Sequence, residues 1–340
     1  VLKKGIKEKS MSRIILVPIE PLNERYSADW YDWFAEIGNF TVDAKPLTDK
    51  ITQGSFLDIC GTNYYKAQQL AYISKMIYDG RIKDGDVFLF LDLWFPGLEM
   101  LAYMRDALGI NFKITGCLHA GTWDDYDFLS KQGMGSWAEN IENGWLNFVD
   151  QIFVATNFHK KLICSCRNIE SNKIKVTGFP IKTIFLKRQA KENIVVFPHR
   201  LDSEKNPNLF DKLADELKAS FKDWQFVKSK EICSNKQEYY ELLHRSKIAV
   251  SFADQETWGI AMQEAVICGC IPLVPDRLSY VEMYPKEFRF TSFDDAINAM
   301  KIYMKYLDNP WCPGSIDLKA KFLANGAAAI PNILREIENE

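Results

Sequence analysis

The stretch FADQETWGIAMQEAVICGCIPLV (252–274) sets two glutamates, Glu256 and Glu264, eight positions apart before the run stops at Gly269 and Pro272. A second stretch, FPHRLDSEKNPNLF (197–210), sets Arg200 five residues before Lys205. Two cations suit a diphosphate, whose charge grows as it leaves. One carboxylate beside it can meet a sugar, and another can accept protons from ribose hydroxyls. If residues 257–268 form a helix, its free N–H groups favour an anion at the same place. Glu264 then lies about 12 Å along the axis from Glu256, roughly the reach from the sugar of a nucleotide sugar to its ribose. A plainer reading stays open beside this one. In it Glu256 is a first-turn acid complementing the helix dipole, Glu264 a surface residue, and Arg200 and Lys205 parts of a solvated basic loop. Register favours the functional reading: both motifs follow strand-like runs, and in open α/β sheets ligands bind at the carboxyl ends of strands.

The elements that must hold these residues are legible as an alternation. RIILVPIE (13–20), DVFLFLDL (86–93), KITGCLHA (113–120), QIFVATN (151–157) and KIKVTGFP (173–180) read as buried strands. NYYKAQQLAYISKMIYDG (63–80) and PGLEMLAYMRDALG (96–109) have helical apolar spacing and end at glycine. A second series follows in NIVVFPHR (193–200), DWQFVKS (223–229), KIAVSFA (247–253) and CIPLVPD (270–276), with helices in PNLFDKLADELKASF, where Pro207 takes the first turn, and KQEYYELLHRS. Near-continuous apolar strands alternating with helices predict parallel sheets covered on both faces. Two such series predict an α/β protein of two Rossmann-like domains facing a cleft. The expected division is 11–183 and 184–317; that a C-terminal helix 318–340 joins the first, as the acceptor side, and that the second is the nucleotide-sugar side is implied by a family resemblance rather than by the alternation. VLKKGIKEKS (1–10) reads as an unstructured leader outside the fold.

At this point the sequence resembles the family-4 glycosyltransferases, retaining enzymes of GT-B architecture. The resemblance spans roughly residues 113–285. It rests on Arg200-Leu201-Asp202-Ser203-Glu204-Lys205 and on Glu256 through Glu264, followed by Ala265, Gly269 and Pro272. VDQIFVATNFHKKLI and KIKVTGFPIK also resemble the family's segments before the interdomain linker. The resemblance implies that Arg200 and Lys205 bind a donor diphosphate and that Glu256 lies beside the transferring sugar. It implies that the amides of Thr257, Trp258, Gly259 and Ile260 touch sugar or phosphate, that Glu264 holds the ribose, and that His119, in CLHAGTW, faces the sugar across the cleft. Read without it, His119 is a satisfied histidine at a strand end. Three departures stand out: Thr257 where glycine is frequent, IEPLNERYSADW in place of a glycine-rich loop after the first strand, and QFVKSKEICSN without the usual glycines near the base.

Competing chemistries fit less well. Glycosidase carboxylates lie about 5 to 9.5 Å apart, closer than the helical span. Asp125-Tyr126-Asp127 matches a DxD metal motif in form, but such tripeptides arise by chance and the paired α/β series does not suit that fold. A sugar-nucleotide epimerase or a non-catalytic sugar-binding protein of the same fold remains an alternative. No GxGxxG, Walker loop or HExxH occurs. The expectation is a nucleotide diphosphate-sugar co-substrate with no resident metal or cofactor. The first domain is rich in aromatics, among them Trp30, Tyr31, Trp33, Phe34, Trp94, Phe95, Trp123 and Tyr126. Most should be core, and some can stack on a flat acceptor. VPIEPLNERYSADWYDWF and DLWFPGLEMLAYMRDALGI resemble phage-type glycosyltransferases, which implies a hydroxymethylated pyrimidine in DNA as acceptor. A glycan or lipid-linked acceptor in surface polysaccharide synthesis is the alternative.

Bulk properties bound these readings. The 340 residues carry a net charge of −3, 47% hydrophobic and 26% charged residues, the balance of a soluble globular chain of two domains. Met11 to Thr183 holds 17 basic and 21 acidic residues, which weighs against a broad nucleic-acid surface. Eight cysteines without a CxxC pair fit a reduced, cytoplasmic protein. No apolar run reaches membrane-spanning length.

Overall fold

A computed structural model describes residues 12–48, 58–184, 189–306 and 316–339. The leader 1–10 and part of the segment between the two halves lie outside the described residues. Each apolar run becomes a strand, but a shorter one than the run. In the first half β1 is Ile14–Val17, β2 Phe40–Thr41, β3 Val87–Phe90, β4 Lys113–Cys117, β5 Gln151–Val154 and β6 Ile174–Val176. They form one sheet in the order β2-β1-β3-β4-β5-β6, every pair parallel. In the second half β7 is Glu192–Phe197, β8 Gln225–Lys228, β9 Ser246–Val250, β10 Ile271–Pro275 and β11 Arg289–Phe290, in the order β11-β10-β9-β7-β8, again all parallel. Two Rossmann-like halves thus flank a cleft. The runs outlast the strands because the loops at the carboxyl edges are themselves buried: Leu91 and Leu93 lie past β3 yet are 0% and 4% exposed.

Parallel strands covered on both faces need apolar residues at every position, and β1, β3 and β5 are buried throughout. The helix Pro207–Lys218 covers the second sheet with Phe210, Leu213, Ala214 and Leu217, one face at helical spacing. The helix Ile260–Ile267 has no polar face, and Met262 through Ile267 are all buried. One core cluster runs through both halves, from Trp30, Phe34 and Phe179 to Val195, Phe197 and Val250, and on to Phe322 and Ile333 of the last helix. That helix, Ile316–Glu338, starts against the second half, where Phe322 packs on Tyr284. It ends against the first: the Glu336 carbonyl accepts from Gln151 Nε2 at 3.1 Å, and Asn332 Nδ2 donates to the Thr177 carbonyl at 3.2 Å. Among the described residues no helix is long and apolar enough to cross a membrane.

Candidate active site

The loop after β7 is short and heavily tied. A 3-10 turn, Ser203–Lys205, ends at Asn206 in the left-handed region (φ 53°), and Pro207 then opens the helix. Asn206 Nδ2 donates to the Phe252 carbonyl at 3.0 Å and to Asp254 at 2.6 Å, while Asp254 N–H donates to the Glu204 carbonyl at 2.8 Å. Arg277, after β10, adds a hydrogen bond to Asp254 at 2.6 Å. The loops after β7, β9 and β10 are therefore one laced unit at one sheet edge. It delivers Lys205, 6% exposed, to Glu256: Nζ lies 3.4 Å from Oε2 and also donates to the Gln255 carbonyl.

Glu256 does not stand on the helix. The helix begins at Ile260, because Gly259 takes a left-handed conformation (φ 67°) that a helix cannot extend through. The axial span of about 12 Å along a single helix therefore does not describe the pair. Glu256 sits in the preceding loop and accepts the Gly259 N–H on Oε1 at 2.9 Å. Burial opposes its ionisation, but Lys205 and the Gly259 N–H outweigh burial and hold its pKa below the usual carboxylate value. It is an ionised group at neutral pH.

Glu264 is on the helix and is no surface residue, being 6% exposed. Tyr240 donates its hydroxyl to Oε1 at 2.9 Å. Burial raises its pKa, against Lys236 and the hydroxyls of Tyr240 and Tyr239. Arg200 pairs with Asp202 (3.1 Å) and Glu204 (3.2 Å) on its own loop. Trp258 is buried and Ile260 half-buried at the helix start.

Across the cleft, His119 follows β4. Its Nε2 lies 2.8 Å from the Leu91 carbonyl, which accepts only, so that nitrogen carries the proton. Burial lowers its pKa, and the neutral ring leaves Nδ1 as an acceptor. The Thr257 hydroxyl donates to the His119 carbonyl at 3.3 Å, and the Thr257 carbonyl accepts from the Thr156 hydroxyl at 2.9 Å. Thr257, the residue that departs from glycine, is thus one of those that meet the other half. Asp127 does not act as half of a metal motif. It caps the short helix Phe128–Lys131 by accepting the Leu129 N–H at 2.9 Å, while Asp125 is exposed. Among the described residues no group of three or more His, Cys, Asp or Glu could hold a metal ion.

Sequence reasoning missed three contributors. His199, 3% exposed, sits beside Lys205 and Glu256, and burial, reinforced by Lys205, takes its pKa to about 3, so it is neutral. Its signal was in the string FPHR, directly before Arg200. Asn206, which laces the loops, reads in sequence only as a residue before proline. The buried set Glu142, Arg167 and Thr122 fixes the loop after His119: Glu142 accepts the Thr122 N–H at 2.8 Å and Arg167 Nη2 at 2.8 Å. Of the aromatics, Trp30, Phe34, Phe95 and Trp123 are core, while Tyr126 is 48% exposed.

No protein-family model matches the chain. Solved structures with the same two-half arrangement include sucrose-phosphate synthase from Thermosynechococcus elongatus, with a TM-score of 0.65, 12% identity, and coverage of 95% of this chain and 98% of that one. The chain has the GT-B fold. TarM from S. aureus matches with a TM-score of 0.59 and 15% identity over 81% of this chain and 59% of its own. An alpha,alpha-trehalose-phosphate synthase from Burkholderia vietnamiensis matches with a TM-score of 0.60, 10% identity, and coverage of 97% and 98%. A curated relative, the tRNA-queuosine alpha-mannosyltransferase of Drosophila melanogaster, is 33% identical over an alignment of 204 residues covering 52% of this chain and 52% of that protein. The chain spans about half the length of that relative.

Proposed function

We propose that the chain is a retaining glycosyltransferase that moves a sugar from a nucleoside diphosphate-sugar to an acceptor hydroxyl. The observation that carries this reading is the buried pair of Lys205 and Glu256, 3.4 Å apart at a carboxyl sheet edge beside the start of the helix Ile260–Ile267. In the reaction the bond between the anomeric carbon and the phosphate oxygen breaks, and its electrons stay on the phosphate. Arg200, Lys205 and the helix N-terminus take up that charge. The acceptor oxygen bonds to the anomeric carbon on the face the phosphate leaves, and its proton passes to the departing phosphate oxygen. Glu256 steadies the positive charge on the sugar. Both its oxygens are engaged, one by Gly259 N–H and one by Lys205, which favours an electrostatic role over a nucleophilic one. His119 Nδ1 accepts from a donor-sugar hydroxyl, and Glu264 accepts from the ribose.

For the acceptor, the similar proteins favour a carbohydrate hydroxyl over a hydroxymethylated pyrimidine: TarM was solved with alpha-GlcNAc-glycerol and UDP, and another match is a lipopolysaccharide outer core galactosyltransferase. A second reading has its own observation. The 33% identity to a mannosyltransferase named for queuosine in tRNA points to mannose as the sugar and a modified nucleoside of RNA as acceptor. The test is a mass-spectrometric screen of UDP- and GDP-linked hexoses against oligosaccharides, tRNA and hydroxymethylated DNA, with a no-acceptor arm. Slow donor hydrolysis in that arm separates an enzyme from a binding protein. Anomeric NMR of the product should show retention, and inversion would contradict the assignment.

A further inference from the structure

Among the described residues the His119 ring makes one hydrogen bond, from Nε2 to the Leu91 carbonyl at 2.8 Å. That bond sets the tautomer, because it fixes which nitrogen carries the proton. Leu91 lies just past β3, and the residues after it are tied down. Leu93 N–H donates to the Cys117 carbonyl at 2.8 Å, and Asp92 Oδ1 accepts the Trp94 N–H at 3.1 Å. Lys66 Nζ then bridges Asp92 Oδ2 at 2.8 Å and the Trp94 carbonyl at 2.6 Å. Lys66 comes from the helix Ile59–Tyr78, is 7% exposed, and stands 5.7 Å over the Phe95 ring. An apolar side chain of similar length would fill that place without the cost of desolvating an ammonium. The ammonium does two things such a side chain cannot: it closes the turn from Asp92 to Trp94, and it neutralises Asp92. Trp94 carries the tie to the far side of the histidine. Its Nε1 donates to Glu142 at 3.0 Å, and Glu142 accepts the Thr122 N–H at 2.8 Å. The residues on both sides of the His119 ring thus share one frame.

The charges around the ring agree with that frame. Burial keeps the imidazole neutral; Asp92 and the Leu91 carbonyl draw it toward the charged form, and Lys66 opposes them. The other neighbours carry no charge. Tyr26 and Trp30 of the helix Tyr26–Ala35 lie 5.9 and 5.1 Å away, ring to ring, and Phe179, after β6, lies at 5.0 Å. Burial keeps the Tyr26 hydroxyl protonated and takes His159, in the helix Asn157–Cys166, to about 3, so it is neutral as well. Without Lys66, Asp92 would act on the imidazole unopposed and favour the imidazolium. In that form Nδ1 donates and can no longer accept.

We propose that Lys66 is a positioning residue: clamped to Asp92 and Trp94, it holds the Leu91 carbonyl on Nε2 of His119, so that Nδ1 stays an acceptor for a donor-sugar hydroxyl. The sugar contact rests on the donor-site reading above and the tautomer does not, so two measurements read them apart. Long-range proton–nitrogen NMR of the imidazoles is recorded across pH on the full chain. It has four histidines, and His119→Gln assigns the signal. Wild type, Lys66→Met, Lys66→Arg and Asp92→Asn are compared. Calorimetry on the same proteins sets UDP-glucose against UDP and GDP-mannose against GDP. The wild type should show a neutral ring protonated on Nε2. Lys66→Met should mix the tautomers and titrate roughly one pH unit higher. It should lose roughly three- to tenfold of its nucleotide-sugar affinity, the equivalent of one hydrogen bond, with free diphosphate unchanged. Lys66→Arg should restore part of both. Asp92→Asn should move the titration the other way, which a merely loosened turn would not do. A Lys66→Met protein with the wild-type tautomer and midpoint overturns the proposal. Where that variant does not fold, an Asp92→Asn midpoint at or above the wild type's overturns it. A changed tautomer with unchanged sugar affinity overturns the role of Lys66 in the reaction. A wild type that binds neither diphosphates nor nucleotide sugars overturns the donor site, while the NMR still decides the clamp.

Discussion

At the scale of residues, the two glutamates differ in environment, and their variants should differ in kind. Glu256 is kept ionised by Lys205 and the Gly259 N–H, and in the proposed reaction positive charge would develop beside it on the sugar as the phosphate leaves. Glu256→Gln should lower kcat while donor binding is largely kept, the mark of an interaction made in the transition state; full kcat in steady-state assays would remove Glu256 from the chemistry. Glu264, held by Tyr240, should act on binding alone, so Glu264→Gln should raise the donor KM with little change in kcat. The cations also differ. Arg200 is partly exposed, and Arg200→Ala should cost donor binding about 1.5–3 kcal/mol. Lys205 is 6% exposed and already neutralises Glu256. Lys205→Ala should weaken donor binding and lower thermal stability together, because it strands a buried carboxylate. A Lys205→Ala protein with wild-type melting temperature would show that Glu256 finds water or another partner.

At the scale of elements, the strands were legible because a buried parallel strand is apolar at every position, and both halves could be read off that pattern. The edge strands β2 and β11 have two residues each, too few for any pattern. The helix before Glu264 was extended too far back, since a left-handed glycine gives no signal in an apolar run. Lys205 and Glu256 were legible from type and spacing. Their contact was not, because it is made by Asn206 and Asp254, ordinary loop residues whose role exists only once the loops meet. Gly259 is open to test: a Cβ there would lie 3.3 Å from the Tyr280 ring at φ 67°, so Gly259→Ala should cost about 1–2 kcal/mol and shift Glu256. The short helix Phe128–Lys131 gives a pH test. Burial, opposed by the Leu129 N–H and aided by Asp124, Glu142 and Glu204, pushes Asp127 up to about 7. The folded state then holds a proton that the unfolded chain releases near pH 4. Stability from this group is present below that pH and is lost as pH rises through about 7. Asp127→Asn keeps a cap acceptor and cannot ionise. Its melting temperature should come nearest the wild type's near pH 4 and exceed it increasingly up to pH 8, and a deficit at pH 8 would contradict the shift.

At the scale of the whole molecule, direct contacts between the two halves bridge the cleft. The Thr156 hydroxyl donates to the Thr257 carbonyl at 2.9 Å, and the Glu282 carboxylate accepts the Asn157 and Phe158 N–H groups at 2.9 and 3.2 Å. In the second contact a carboxylate of the second half caps a helix of the first, Asn157–Cys166, which sets a full charge against the positive end of its dipole. Lys131 reaches Ser203 at 3.2 Å and Asp29 pairs with Lys236 at 3.0 Å, so the bridges flank the donor loops on several sides. Each is worth little alone at a solvated boundary. Together they bias the halves toward the arrangement in which the Thr257 hydroxyl meets the His119 carbonyl. The Glu282 cap lies outside the donor loops, so removing it separates closure from donor contacts. Glu282→Ala should leave each half folded and diphosphate affinity nearly unchanged, while populating a more open form. Small-angle scattering should then give a larger radius of gyration than wild type without nucleotide, and saturating diphosphate should bring the two back together. Turnover should fall through kcat, since closure must be completed in every cycle. A variant with wild-type scattering and wild-type kcat would mean that the remaining bridges, or the helix Ile316–Glu338 that spans both halves, hold the cleft closed without Glu282.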